Sequence, residues 1–184
     1  MTKHDSQVTQ PWRTLTTTYP FRTPWFKVRQ DQVRTHSNEQ ITYTYHEHPG
    51  CALIVALTME IQVVLLRHYR YPVRSWCWEI PAGRLDDGVN GLTAAQRELR
   101  EEAGGESESW QFVGTFYTST GSSSEKSEVY LATDVLLRNN QPEPTELLRL
   151  ELVPWKVAIE MAQAGQISDG PSALALFLCQ PYIT

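Results

Sequence analysis

At 184 residues the chain suits one domain with at most a short appended segment. Its 41% hydrophobic content is enough to fill a single core, and 20% charged residues is ordinary for a globular protein. A net charge of −5 argues against a nucleic-acid binder working through a basic face, and an anionic substrate would need local positive charge or a metal ion. No run approaches the roughly 18 apolar residues that span a bilayer, so neither nucleic acid nor membrane is an expected partner. The N-terminus, MTKHDSQVTQPW, lacks the apolar stretch of a secretory signal. Cys51, Cys77 and Cys179 are odd in number and widely separated, without CxxC spacing, which predicts core thiols in a reduced, cytoplasmic protein.

Residues 1–20 are polar, rich in Thr and Gln, and read as a flexible tail. Residues 21–50 form a strand segment, because FKVRQDQV and QITYTYHEH alternate apolar and polar positions with the period of half-buried strands. The main domain is expected over 51–184. Cys51 to Thr58 is nearly all apolar, as in a central strand, and IQVVLLRHYRYPV follows so closely that the two are expected to pair as a hairpin. WCWEI is a short strand ended by Pro81. Asp86 to Gly91 reads as a loop with Asn90 as N-cap, and Leu92, Ala95, Leu99 and Ala103 then make one apolar helical stripe. Gly104-Gly105 ends that helix, since glycine accepts the left-handed cap conformation. WQFVGTFY, EVYLATDV and LLRLELV are further strands; WKVAIEMAQAG and SALALFLCQ are helices joined by the turn QISDGP. The architecture is α/β with a mixed sheet between helices.

RELREEAG carries the chemistry. Glu98, Glu101 and Glu102 share one helical sector, because i, i+3 and i+4 lie on one face. Like charges so placed repel by roughly 0.2–0.5 kcal/mol per pair, and a hard divalent cation reverses the sign. Gly83 lies fifteen residues before Glu98, after a strand and the turn PAG, so a loop can fold back and bring the Ala82 carbonyl toward the carboxylates.

The stretch GRLDDGVNGLTAAQRELREEAGG resembles the Nudix box, with Gly83, Arg97, Glu98, Leu99, Glu101, Glu102 and Gly104 in register. Val89 stands where the pattern has a glutamate that braces the loop through Arg97, and Gly105 stands where it has an apolar residue. The resemblance implies a Nudix α/β/α sandwich and metal held by Glu98, Glu102, Glu101 and the Ala82 carbonyl, with Mg²⁺ as the ion and Mn²⁺ as its substitute. Beyond the box, HEHPG, RHYRYPV, WCWEIPAGR and QISDGPSALALFL are similar to the ADP-ribose pyrophosphatase branch, which includes other nucleoside diphosphate sugar hydrolases. Thr120 departs from the proline of that branch, whereas Gly121 and Glu125 fit it.

The branch implies roles for several further residues. Glu125 would be an extra metal ligand or would position water; a solvated loop glutamate is the plain alternative. Glu146 would be the general base, with Glu143 its rival on the same loop. Arg70 would contact substrate, since guanidinium forks suit phosphate and ribose oxygens, and Glu79 would face the site. Trp25, with Arg29, lies in the region that in this branch reaches the partner subunit's site, where Trp25 would stack on adenine. A homodimer with exchanged N-terminal strands is therefore implied. The expected reaction is hydrolysis of a nucleoside diphosphate sugar, ADP-ribose giving AMP and ribose 5-phosphate. GDP-mannose or ADP-glucose hydrolysis is the alternative within the class, and a catalytically idle nucleotide sensor the alternative outside it, on the strength of Val89.

Overall fold

The structure, a computed structural model, describes residues 10–85, 88–138 and 147–183. The chain divides into two compact units, one of Met1–His48 with Ser119–Glu125, the other of Pro49–Thr118 with Lys126–Thr184.

The first unit is built on an antiparallel sheet of β1 (Arg13–Arg22), β2 (Lys27–Arg34) and β3 (Gln40–Glu47), in that order. From Arg13 onward β1 replaces the flexible tail expected over residues 1–20, of which 1–9 lie outside the described residues. Thr14 and Thr16 to Thr18 are β-branched and fit a pleated strand. Thr17 Oγ1 donates to Asp31 at 2.7 Å, and Thr18 Oγ1 to the Gln30 carbonyl at 3.3 Å. The strand is exposed along nearly its whole length, so its sequence carries no apolar alternation to reveal it. Ser119–Glu125 returns to this unit along the free edge of β3, where His46 and Ser123 form a parallel bridge.

The second unit contains β4 (Cys51–Ala56), β5 (Gln62–Arg70), β6 (Ser75–Glu79), β7 (Ala82–Arg84), α1 (Gly91–Ala103) and β8 (Gly105–Glu106). It continues with β9 (Ser109–Tyr117), β10 (Lys126–Thr133), β11 (Leu136–Leu137), β12 (Leu148–Pro154), α2 (Trp155–Gln163) and α3 (Gly170–Cys179). A mixed sheet runs β7-β4-β10-β9, with β4 and β10 parallel, and a second sheet runs β12-β5-β6. Side chains of β4 alternate between two cores. Leu53 and Val55 pack with Val129, Leu131 and the α2 and α3 residues Ala158, Ile159, Ala175 and Leu176. Ala52, Ile54 and Ala56 pack with Tyr130, Ala132 and the α1 residues Ala94, Ala95, Leu99 and Ala103. Both faces of β4 are covered, which explains its unbroken apolar run. This is the α/β/α sandwich with a mixed sheet that the sequence predicts.

Two local expectations are corrected. β4 and β5 do not pair as a hairpin: they share a single bridge, Leu57 to Val63, and then part into different sheets. Each finds a longer ladder elsewhere, β4 with β10 and β5 with β12. On α1, Leu92 is 37% exposed and Ala94 takes the buried position, so the inward stripe begins at Gly91. Among the described residues no helix is long and apolar enough to cross a membrane.

Candidate active site

The ends of α1 set the rotation of its carboxylates. Asn90 is extended, and its side chain accepts the Thr93 N–H at 2.9 Å, satisfying a donor that the first turn leaves over. At the other end Gly104 adopts φ 64°, and its N–H reaches the Arg100 carbonyl at 2.9 Å. Leu99, fully buried, holds the stripe against the sheet, and this turns Glu98 and Glu102 toward β7.

Glu102 is 4% exposed, and its Oε2 accepts the Ala82 N–H at 2.9 Å. The bond thus comes from the N–H of Ala82, the atom opposite to the carbonyl considered from sequence. Glu98 lies against Gly83 so closely that a Cβ at Gly83 would fall within its carboxylate. Glycine is required there by close approach, since its φ is unexceptional. Arg97 gives one Nη to Glu98 at 2.7 Å and the other to Glu101 at 3.1 Å. Val89 stands at the loop position where the box has a glutamate, and Glu98 and Glu101 are partners of Arg97 on the helix itself. Gly105, the other departure from the box, is also explained: a Cβ there would press on Leu99 and Val135, which already fill that space.

Arg70 and Glu79 meet across β5 and β6. Arg70 donates to Glu79 Oε1 from Nε at 2.9 Å and to Oε2 from Nη2 at 2.6 Å. Glu79 is buried, with His68 Nδ1 at 3.9 Å, while nearly half of the Arg70 side chain remains exposed. The bonds to Glu79 raise the Arg70 pKa against the opposing effect of burial, and the charges of Glu79, Glu102 and Asp169 add to the rise. Arg70 therefore feels both its own cleft and the α1 carboxylates. That cleft, about 510 Å³, is lined by Arg70, Val73, Ser75, Glu79, Ser168 and Asp169 among others.

Trp25, Arg29 and Glu125 belong to the first unit. Trp25 is 77% exposed. Arg29 is engaged within its sheet: Nε donates to Asp31 at 3.0 Å and Nη1 to Glu47 at 3.0 Å, which holds its pKa above the usual guanidinium value. Arg29 is thus a strut of the sheet, and a role toward substrate would compete with two carboxylates. The Glu125 N–H donates to Ser123 Oγ at 3.1 Å. Glu146 and its rival Glu143 lie outside the described residues.

A polar relay that the sequence alone does not reveal lies under α3. Ile80 N–H donates to Ser172 Oγ at 3.1 Å, and Ser172 Oγ donates to Asp169 at 2.6 Å. Asp169 also caps α3 through the Ser172 N–H at 2.9 Å. The relay fixes the strand end just before Pro81 and Ala82. The Asp-Gly-Pro-Ser start of α3 carried the cap, but its link to Ile80 requires tertiary structure.

As a metal site the helix offers hard oxygen donors only. Among the described residues no three His, Cys, Asp or Glu groups form a metal-binding cluster. Magnesium nevertheless asks for only one or two carboxylates and completes its shell with water and phosphate oxygens. The glycine cradle that admits the Glu98 carboxylate to the β7 backbone, beside buried Glu102, fits such an ion.

The NUDIX domain family model matches residues 47–173, the larger part of the chain. The chain belongs to the Nudix hydrolase family. In this Nudix hydrolase, residues 12–45 match a second family model, the nucleoside diphosphate sugar hydrolase N-terminal domain. It is 30% identical to an ADP-ribose pyrophosphatase of Bacillus subtilis over 71% of each chain. An ADP-ribose pyrophosphatase of Mycobacterium tuberculosis is 41% identical over 59% of this Nudix hydrolase and 53% of that protein. A methanol dehydrogenase activator of Bacillus methanolicus is 28% identical over 89% and 90% of the two chains. The fold of this Nudix hydrolase also matches the crystal structure of an ADP compounds hydrolase, with a TM-score of 0.81 and 20% identity over 96% of both chains.

Proposed function

We propose that this Nudix hydrolase cleaves the diphosphate of a nucleoside diphosphate sugar, with ADP-ribose, water and a divalent cation giving AMP and ribose 5-phosphate. The observation that carries the reading is the packing of Glu98 on Gly83 beside buried Glu102, which brings two carboxylates to one short strand, β7. The names of the relatives support the substrate class, as does the match of residues 12–45 to an N-terminal domain of nucleoside diphosphate sugar hydrolases.

Glu98 and Glu102, with Glu101 and the Ala82 carbonyl, would hold Mg²⁺, or Mn²⁺ in its place. Bound there, the ion supplies Lewis acidity and positive charge against the diphosphate oxygens, which an acidic protein otherwise lacks. Arg70, oriented by its bidentate bond to Glu79, offers its exposed side to phosphate or ribose oxygens. Glu125 orients water, and Glu146 takes its proton as attack begins, Glu143 being the nearest substitute. Trp25 stacks on adenine in the partner of a homodimer, a reading supported by its exposure beside Phe21 and Phe26, at 55% and 44%. Cys77 and Cys179 lie buried in the core as thiols, in keeping with the cytoplasmic setting expected from the cysteine spacing.

Glu102→Gln is the deciding variant. Its amide oxygen still accepts the Ala82 N–H, so the fold survives while the charge is lost. Turnover of ADP-ribose is expected to fall by about 10²-fold or more at unchanged melting temperature. Near wild-type Mg²⁺-dependent hydrolysis would refute the assignment. Run with ADP-ribose, GDP-mannose and ADP-glucose, with metal and then with chelator, the same assay ranks the sugars. Binding without turnover under every metal would instead mark an idle sensor.

A further inference from the structure

We propose that the N-terminal sheet, acting through Ser124 and Tyr43, positions Glu125. The inference rests on the reading of Glu125 as a residue that acts on water or metal. Residues 119–125, STGSSSE, carry no large apolar side chain, so packing cannot order them. Their order comes from the free edge of β3, whose outward N–H and C=O groups need partners. The His46 N–H donates to the Ser122 carbonyl at 2.9 Å, and the Ser124 N–H donates to the His46 carbonyl at 3.0 Å. The Tyr43 hydroxyl donates to the Gly121 carbonyl at 2.8 Å. Ser124 Oγ accepts the His48 N–H at 2.9 Å and donates to the His48 carbonyl at 3.2 Å. One hydroxyl thus clamps both polar groups of a single peptide-bearing residue. Glu125 is the next residue along the chain, so its backbone starts from that clamp.

This gives the N-terminal unit a task in catalysis distinct from any contact that Trp25 makes with substrate. Ser124 and Tyr43 are positioning residues: they touch backbone, and their effect passes through Glu125. The serine side chain is chosen by size and chemistry, since alanine removes both bonds to His48 and threonine keeps the hydroxyl.

The test compares Ser124→Ala, Ser124→Thr, Tyr43→Phe, Glu125→Gln and the double variant S124A/E125Q in the full chain. Steady-state hydrolysis of ADP-ribose at saturating Mg²⁺, Mn²⁺ affinity, melting temperature and hydrogen exchange of residues 119–125 are measured together. Ser124→Ala should lower kcat on the order of tenfold with KM within about twofold, as displacement of a reacting group does. Exchange at 119–125 should quicken while the melting temperature holds. Tyr43→Phe should do the same more weakly, and Ser124→Thr should restore both kcat and protection. In the Glu125→Gln background Ser124→Ala should add nothing. A loss that multiplies with that of Glu125→Gln, or no loss in Ser124→Ala when Glu125→Gln is impaired, overturns the positioning role. Full activity and unchanged Mn²⁺ affinity in Glu125→Gln removes the Glu125 reading itself, and this inference with it.

Discussion

Gly83 bears the tightest steric constraint in the candidate site. Its backbone occupies the position at which the Glu98 carboxylate approaches β7, and a single methyl there would overlap that carboxylate. Glu98 is also held by Arg97 at 2.7 Å, so it cannot swing aside without losing that ion pair. Gly83→Ala is therefore expected to displace Glu98 at a cost of about 1–3 kcal/mol, the usual range for overpacking. Turnover and Mn²⁺ affinity should fall together, both being read from the same purified protein by calorimetry and product assay. Wild-type Mn²⁺ affinity in this variant would mean that the Glu98 position seen against Gly83 is not the one that matters for metal.

At the scale of elements, α1 was the most legible part of the chain because its signals agree. Asn90, the apolar spacing and Gly104 each marked the same helix, and the glutamates followed from its period. Asn90→Ala removes the acceptor of the Thr93 N–H and should lower stability by about 1 kcal/mol, measurable as a shifted denaturant midpoint at constant slope. An unchanged midpoint would show the helix start to be held by Gly91 against Glu128 and Tyr130 alone, where a Cβ would also collide. Apart from β1 and the short β7, β8 and β11, the strands were legible in kind but not in partner. Nothing local in CALIVA states that β10, more than seventy residues later, lies beside it in parallel. The pair Arg29–Glu47 was hidden for the same reason, since Glu47 reaches Arg29 only through the β2–β3 register.

That network also gives the N-terminal sheet its own response to acid. Burial pushes the Asp31 carboxyl up, but bonds from Arg29 and Thr17 more than offset it and hold the group below its ordinary range. Glu47 is likewise raised by burial and brought below its usual value by Arg29 and Tyr19. Carboxyls depressed in the folded state contribute stability that is complete above their unfolded values, near pH 4, and lost as pH falls through the folded ones. Amide protection in β1–β3 should therefore fall before that in β4 as the pH is taken below about 4. Loss in the reverse order would show that the Arg29 network does not govern this sheet.

For the whole molecule, the two units divide the proposed labour: the Nudix unit carries Glu98, Glu102, Arg70 and Glu79, and the N-terminal unit carries Glu125 and Trp25. In the proposed homodimer Trp25 serves the partner's substrate, and mixing of variants tests this without any assumption about geometry. Glu102→Gln alone has dead sites; Trp25→Ala alone should have live sites with KM raised on the order of tenfold, the worth of about 1.4 kcal/mol of stacking. Refolded or subunit-exchanged together, half of the sites in a mixed dimer combine an intact Glu102 with an intact Trp25 from the other chain. Low-KM activity should then reappear in the mixture although neither parent shows it. If Trp25 serves its own chain, each mixed dimer holds one dead site and one weak site, and the low-KM component stays absent. A monomer by light scattering, with Trp25→Ala still raising KM, would reject the exchange and leave Trp25 acting within its own subunit.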